Sequence, residues 1–332
     1  MSPNRIAVLG AGGWGTALTV LWANAGHEVI LWGHNPERIE RLRRSRQNDD
    51  YLPNVSVPAS VEFTNEMAEC RRADLIVIVT PSTAVRAIAE QLRPHVAPNA
   101  VLLSCTKGIE HGTGMRMSEI LSVALPQHTV AVLSGPNLAI EVARGLPTAS
   151  VLGCEKAECA AALQLVLGSA RFRIYSSDET AGIELGGALK NVFAIAAGLS
   201  DGLGFGDNSK AALVTRSLTE LVRLGTAMGG NAKTFFGLSG AGDLIATCFS
   251  KHSRNRRVGE QLGRGRALGE IIVEMKTVAE GIPTTQSAFE CGRRLGIETP
   301  IIDQVYSILY QAKNPSQALQ ELLGRDQKSE AV

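Results

Sequence analysis

The stretch Ile6-Ala7-Val8-Leu9-Gly10-Ala11-Gly12-Gly13-Trp14-Gly15-Thr16 decides the fold. Four apolar residues lead into glycines spaced GxGxxG, and an apolar, helix-patterned segment then runs to Gly26. This reads as strand, tight turn, helix. The first glycine permits the turn, the second lets a pyrophosphate approach the backbone, and the third lets the helix close on the strand. Free N–H groups at the helix start then face the phosphates. An ordinary glycine-rich turn can carry the same letters. The preceding strand and the helix that follows favour a dinucleotide site formed by Gly10, Gly12, Gly13, Trp14 and Gly15.

Working outward, short apolar segments recur at 28–33, 73–80, 100–105, 130–134, 150–153 and 172–175, beside the first at 5–10. Segment 73–80 reads ADLIVIVT, a nearly continuous apolar run suited to a strand covered on both faces. Helical patterns separate the strands, as at 16–25, 36–46 and 83–92. Such alternation predicts an α/β, Rossmann-like, doubly wound and mostly parallel sheet. From residue 179 the character changes to helical periodicity alone, at 179–199, 210–228, 282–295, 300–311 and 316–323. A chain of 332 residues exceeds what one core usually organises. The expected division is a cofactor-binding domain over 1–178 and an all-helical substrate-binding and catalytic domain over 179–332. The polar tail 324–332 is expected to fray.

Composition narrows the class. Lys plus Arg total 33 against 32 Asp plus Glu, so no global field favours nucleic acid or an anionic membrane. A small anionic substrate needs a local cationic pocket instead. Six cysteines at Cys70, Cys105, Cys154, Cys159, Cys248 and Cys291 form no CxxC pair and no zinc-like spacing, so buried free thiols and no metal site are expected. The N-terminus lacks the apolar stretch of a signal peptide, and no run is read as reaching the 18 or so apolar residues of a membrane span. A soluble cytoplasmic protein is expected.

Further motifs each carry a functional and a plainer reading. The second strand ends Trp32-Gly33-His34-Asn35 without the acidic residue that usually bonds the ribose 2′-hydroxyl of NAD. His34, with Arg38 or Arg41 near, can accommodate a 2′-phosphate; alternatively, other groups hold the ribose. Thr106-Lys107-Gly108 and Ser134-Gly135-Pro136-Asn137 each follow a strand, at the edge where open α/β sheets bind ligands. Both can also be solvated turns. Glu184-Leu185-Gly186-Gly187-Ala188-Leu189-Lys190-Asn191 puts two helix-weakening glycines one turn before a lysine, which implies close packing or an open floor beside the ammonium group. A confined lysine has a tunable pKa; a surface lysine in a groove fits the pattern equally. Asp243, after Ser239-Gly240-Ala241-Gly242, can cap a helix or pair with a catalytic lysine. Ser253-Arg254-Asn255-Arg256-Arg257 offers an arginine fork and a helix start, a natural phosphate site, or a solvated basic patch.

Taken in order, VLGAGGWGTAL, VTPS, SCTKG, LSGPNLAIEV, ELGGALKNVFAIAAG, GLSGAGDLIATC, SRNRRVG, VAEG and YQAKNPSQALQELLGR closely resemble the soluble NAD(P)-dependent glycerol-3-phosphate dehydrogenases of bacterial type, across nearly the whole chain. The resemblance implies reversible hydride transfer between NAD(P)H and dihydroxyacetone phosphate, supplying glycerol 3-phosphate for phospholipid synthesis, with a homodimer as the expected assembly. It makes Lys190 the proton acceptor, with Asp243 beside it. Lys107 contacts cofactor and substrate. Gly135 and Asn137 face the substrate, with Asn137 standing where the family usually has Ser or Thr. Asp243, Ser253, Arg254 and Asn255 also match substrate positions. Gly13, Trp14, His34, Ala139, Arg254, Val278 and Glu280 match cofactor positions, and the absent acid after the second strand leaves NADP or NAD as cofactor. A dehydrogenase for another hydroxy acid or sugar phosphate is one alternative, against which the SRNRR segment and the ordered motifs stand; a non-catalytic NADP-binding sensor is the other, and it would not need Lys190, Asp243 and Arg254 together.

Overall fold

The computed structural model describes residues 5–275 and 278–326. The residues before Arg5, on which the reading of a missing leader rests, and the tail from 327 lie outside the described residues.

The first part contains β1 (Arg5–Leu9), α1 (Gly13–Asn24), β2 (Glu28–Trp32), α2 (Pro36–Ser45), β3 (Gln47–Asn48), β4 (Leu52–Ser56), β5 (Glu62–Thr64), β6 (Leu75–Ile78), α3 (Val85–Leu92), β7 (Val101–Ser104), α4 (Met117–Ala124), β8 (Val130–Ser134), α5 (Ala139–Ala143), β9 (Thr148–Gly153), α6 (Ala157–Leu167) and β10 (Phe172–Ser177). Eight strands form one sheet in the order β5-β2-β1-β6-β7-β8-β9-β10, and β3 and β4 form a separate hairpin. The six strands from β5 to β8 are mutually parallel, β9 runs antiparallel to β8, and β10 parallel to β9. The chain departs from β1 to one side and returns to its other side at β6. That reversal opens a crevice at the carboxyl ends of β1 and β6, where a doubly wound sheet takes its ligand.

Alternation along the strands sends side chains to both faces. Ile6, Val8, Leu31, Val77 and Leu103 enter one apolar layer, and Ala7, Leu9, Ile76, Ile78 and Leu102 the other. The expectation of strands covered on both faces is met. Three strands went unanticipated: β3, β4 and β5 are short and carry polar residues, including Pro53. Pairing with neighbours, not local apolar pattern, makes them strands.

The second part contains α7 (Ala181–Gly202), α8 (Asp207–Ala227), α9 (Asp243–Phe249), α10 (Arg254–Gly263), α11 (Leu268–Glu274), α12 (Gly281–Leu295), α13 (Pro300–Tyr310) and α14 (Pro315–Leu323). No strand occurs among its described residues. Helix α7 is its axis: every residue from Gly182 to Leu199 is buried, with α8, α9, α10, α12 and α13 packed around it. By length and composition alone α7 is long and apolar enough to cross a membrane, which corrects the reading that no run is. Its apolar window is wholly buried within the protein, so the fold itself accounts for the apolarity.

Helix α10 meets α7 backbone to backbone. A side chain at Gly259 would begin 1.9 Å from the Ile195 carbonyl oxygen, and one at Gly198 would begin 1.9 Å from that of Arg256. This approach fixes where the first turn of α10, beginning at Arg254, lies relative to Lys190.

Candidate active site

At the crevice, the left-handed φ of Gly10, +129°, turns the chain where a side chain would strike the Val79 carbonyl oxygen at 2.7 Å. A side chain at Gly15 would strike the Gly10 carbonyl at 1.9 Å, so helix and turn close together. At Gly12, by contrast, nothing lies within 4 Å of the missing side chain. The first turn of α1 therefore presents unpaired amides beside open space. The structure fits a dinucleotide pyrophosphate at this cradle. Gly13 abuts the Tyr51 carbonyl, and Trp14 packs on the sheet core from the first turn of α1. His34 is exposed after β2; Asn35 caps α2 by accepting from the Arg38 amide at 2.9 Å.

The two arginines read as possible neighbours of a 2′-phosphate are committed elsewhere. Arg41 pairs with Asp50 at 3.1 Å. Arg38 turns back under the glycine loop and donates to the Ala11 carbonyl and to Asn48. His34 is thus left as the candidate at this edge.

The chemistry-bearing side chains meet further along the sheet edge. Lys107, after β7, donates to the Gly135 carbonyl at 3.0 Å and to Asp243 Oδ2 at 2.5 Å. Lys190, from α7, lies 3.0 Å from Asp243 Oδ1 and donates to Thr247 Oγ1 at 2.6 Å. One carboxylate, 2% exposed, therefore bridges two lysines. Asp243 stands in the first turn of α9 but makes no cap bond, so its reading as a lysine partner holds over that as a cap. Thr247, one turn later, donates to Asp243 Oδ1 at 3.2 Å while accepting from Lys190. An ammonium group has three donors. Asp243 and Thr247 occupy two on Lys190 and leave one for an oxygen in the cleft. Burial pushes the Lys190 pKa down to about 8 from 10.5; Asp243 opposes this, and the Lys107 charge adds to it.

Gly186 and Gly187 form no open floor, which corrects that alternative. A side chain at Gly186 would begin 2.8 Å from the Ser239 carbonyl, and one at Gly187 would begin 2.4 Å from Ser134 Oγ. They serve close packing: the wide turn 238–242 and the end of β8 press against α7, bringing Asp243 and Lys107 to Lys190.

Ser253 caps α10, accepting from the Arg256 amide at 3.2 Å, and the first amides of the helix, at Arg254 and Asn255, lie outside intrahelical pairing. Arg254 is exposed at its surface, yet surrounding protein desolvates its guanidinium. That desolvation lowers its pKa, with Glu280 and then Tyr51 opposing. Asn255 donates one side-chain N–H to Asn191 Oδ1 at 2.8 Å and accepts from the Gly281 amide at 2.9 Å. Its second side-chain N–H and its backbone N–H remain for an anion. Arg256 leaves the proposed fork altogether and pairs with Asp201 at 2.6 Å. Asn137 is likewise tied down, donating to the Ala149 carbonyl at 3.2 Å and accepting from Ser150 at 3.0 Å. Ala139 opens α5 and Val278 is exposed. The carboxylate of Glu280 accepts from the Ser82 amide at 3.1 Å and hydroxyl at 2.6 Å, tying the helical part to the end of β6.

Thr247, Ser82 and Asn191 were missed by the sequence reading. The i, i+4 spacing of Asp243 and Thr247 was a usable signal; nothing in the spacing pointed to Ser82.

Two family models match the chain: the NAD-dependent glycerol-3-phosphate dehydrogenase N-terminus over residues 5–160 and the corresponding C-terminus over 179–320. A curated glycerol-3-phosphate dehydrogenase (NAD(P)+) of Syntrophotalea carbinolica is 46% identical over 330 residues, covering 98% of this chain and 99% of that protein. One of Desulfitobacterium hafniense is 44% identical over 326 residues, covering 98% and 93%. Among solved structures, the glycerol-3-phosphate dehydrogenase of Coxiella burnetii superposes with a TM-score of 0.94 at 38% identity, covering 97% of this chain and 99% of that one.

Proposed function

The chain belongs to the NAD-dependent glycerol-3-phosphate dehydrogenase family, and from that premise we propose that Lys190 is the acid–base group of an NAD(P)-dependent oxidoreductase that interconverts sn-glycerol 3-phosphate and dihydroxyacetone phosphate. The observation that carries the assignment is the pair of lysines on one buried carboxylate, Lys107 and Lys190 on Asp243.

A nicotinamide, when bound, accepts the hydride of C2 or returns it. Lys190 handles the proton. In oxidation its neutral amine takes the C2 hydroxyl proton as the carbonyl forms; in reduction its ammonium protonates the developing alkoxide. Asp243 and Thr247 hold Nζ in place, and Lys107 adds a second positive charge where the oxygen becomes negative. Arg254 and the first amides of α10, at Arg254 and Asn255, receive the phosphate, with Ser253 shaping that turn. Binding there aligns C2 for the reaction. Gly135 and Asn137 border the substrate. The glycine loop, Trp14, His34, Ala139, Val278 and Glu280 border the cofactor.

The division into a cofactor domain over 1–178 and a substrate domain over 179–332, a homodimeric assembly, a place in the cytoplasm and supply of glycerol 3-phosphate for phospholipid synthesis belong to the same proposal. Six free cysteines, five of them buried, fit a reducing compartment.

Lys190→Ala tests the assignment: it lowers turnover by ~10²–10⁴-fold, the usual range for a positioned acid or base, while leaving cofactor affinity in place. Undiminished turnover in the purified variant would remove Lys190 from the mechanism. The pH profile is a second check. With a pKa near 8, Lys190 gains its base form as pH rises, so oxidation of glycerol 3-phosphate accelerates through about pH 8. Reduction of dihydroxyacetone phosphate, which needs the ammonium, slows over the same interval. Parallel profiles in the two directions would contradict a single group serving both.

A further inference from the structure

Arg38 lies beside the glycine loop and has no role in the site described above. Its Nη2 donates to the Ala11 carbonyl at 2.5 Å and to Asn48 Oδ1 at 3.1 Å, and its guanidinium carbon lies 3.6 Å from the centre of the Tyr51 ring. Asn48, 3% exposed, donates in turn to the Ala11 carbonyl at 3.1 Å and to Thr16 Oγ1 at 2.6 Å. Ala11 and Thr16 flank the segment from Gly12 to Gly15. The Tyr51 carbonyl itself abuts Gly13. The β3–β4 hairpin and α2 therefore clamp the loop at both ends, with Arg38 as the central link.

Two features separate this arginine from a surface residue. Its Nε is buried and has no hydrogen-bond partner, and among the described residues no carboxylate forms an ion pair with it. A guanidinium drawn against one backbone carbonyl and one side-chain amide oxygen without a counter-charge is costly unless an anion balances it. The loop it underlies is the one that leaves open space and unpaired amides at Gly12, the arrangement that suits a pyrophosphate. A reader of the 2′-phosphate would instead reach outward past His34, whereas the Arg38 donors point inward to Ala11.

We propose that Arg38 is a positioning residue of the dinucleotide site, which orders the glycine loop and lends its charge to the pyrophosphate, so that it supports NADPH and NADH equally. This rests on the reading of the crevice as a nicotinamide dinucleotide site. Loss of the clamp raises Kd for both cofactors by a common factor of about ten, the scale of one hydrogen bond involving a charged group.

The experiment is titration of the full chain with NADPH and with NADH, followed by tryptophan fluorescence, at several salt concentrations. Wild type, Arg38→Met, Arg38→Lys and Tyr51→Leu are compared. Arg38→Met weakens both cofactors alike and flattens the salt dependence of NADH binding. Arg38→Lys keeps the salt dependence and recovers part of the affinity. Tyr51→Leu, which removes the ring under the guanidinium together with the hydroxyl that acts on Arg254, gives a smaller, equally shared loss of cofactor affinity, and it carries the test should Arg38→Met fail to fold. Unchanged affinities would overturn the proposal, and so would a loss confined to NADPH, which would make Arg38 a 2′-phosphate contact. A wild-type chain that binds neither cofactor would instead overturn the underlying reading of the crevice.

Discussion

A side chain at Gly12 would project into open space, whereas one at Gly259 would land 1.9 Å from the carbonyl oxygen of Ile195. Both glycines belong to clusters of small residues, and the clusters do different work. In the loop after β1, the absent side chain leaves room for something the protein does not contain. In the seam between α7 and α10, Gly198, Gly202, Gly259 and Gly263 let two backbones touch, and the protein itself fills the space. The loop sets where a cofactor can lie. The seam sets where the first turn of α10 stands against the helix that carries Lys190. The comparison teaches that a glycine's missing Cβ must be read with its neighbour: the same absence is a binding surface in one place and an assembly joint in the other.

The strongest way to break this contrast is to add a side chain to the seam. Gly259→Val drives a branched side chain into the Ile195 carbonyl, where backbone cannot yield as a flexible side chain would. Overpacking of ordinary cores costs about 1–3 kcal/mol, and a backbone-to-backbone contact stands at or beyond the top of that range. The expected outcome is loss of soluble folded protein, or a large fall in the denaturation midpoint. A variant with wild-type stability would mean that the helices can separate without consequence.

Gly12→Val makes the opposite demand. No atom lies within 4 Å of the new Cβ, so the fold persists and the melting temperature stays within a few degrees of wild type. The valine occupies the space beside the first amides of α1, and cofactor binding is abolished in a fluorescence titration. Retained affinity in a folded variant would reduce the loop to a structural turn, and the contrast with the seam would vanish.

The two clusters also differed in how far they could be read in advance. GxGxxG is written within six residues, directly after an apolar strand, and its physical reasons are local. The seam joins residues about 60 positions apart in sequence, and nothing local distinguishes Gly198 or Gly259 from a helix defect. The same distinction runs through the site. Lys107, Lys190 and Asp243 stood out as charged residues in glycine-rich or strand-end settings, and the fold brings them together, adding Lys107 to the expected pairing of Asp243 with a lysine. Asn255 and Asn137 were read as ligand contacts, and the fold orients each through one side-chain N–H and the carbonyl oxygen, on Asn191, Gly281, Ala149 and Ser150, partners no spacing predicts. Arg256 leaves its neighbour Arg254 because Asp201, at the end of α7, lies across the seam. The strands β3, β4 and β5 escaped for a related reason, since pairing rather than composition makes them.

The smallest expected effect concerns the outer edge of the loop region, where cofactor choice is made. No carboxylate stands at the end of β2 itself, and with Arg38 and Arg41 held by Ala11, Asn48 and Asp50, His34 is an exposed titratable side chain at that edge. No acid stands at position 34 to repel a 2′-phosphate, and a protonated imidazole would attract one below neutral pH. The wild-type enzyme is therefore expected to show kcat/KM for NADPH at least equal to that for NADH. In His34→Asp, the new carboxylate can bond both ribose hydroxyls of NADH and repels the extra phosphate of NADPH. The site is exposed, so screening limits each contribution to about 0.7 kcal/mol, and the two together shift the NADPH:NADH ratio by roughly tenfold toward NADH. Stability stays at its wild-type value, because His34 makes no contact on which the loop or the seam depends. Steady-state kinetics with both cofactors measure the ratio. If it does not move, discrimination lies elsewhere in the cleft. If it moves together with the absolute affinity for both cofactors, His34 belongs with Arg38 among the residues that order the loop rather than with those that read the ribose.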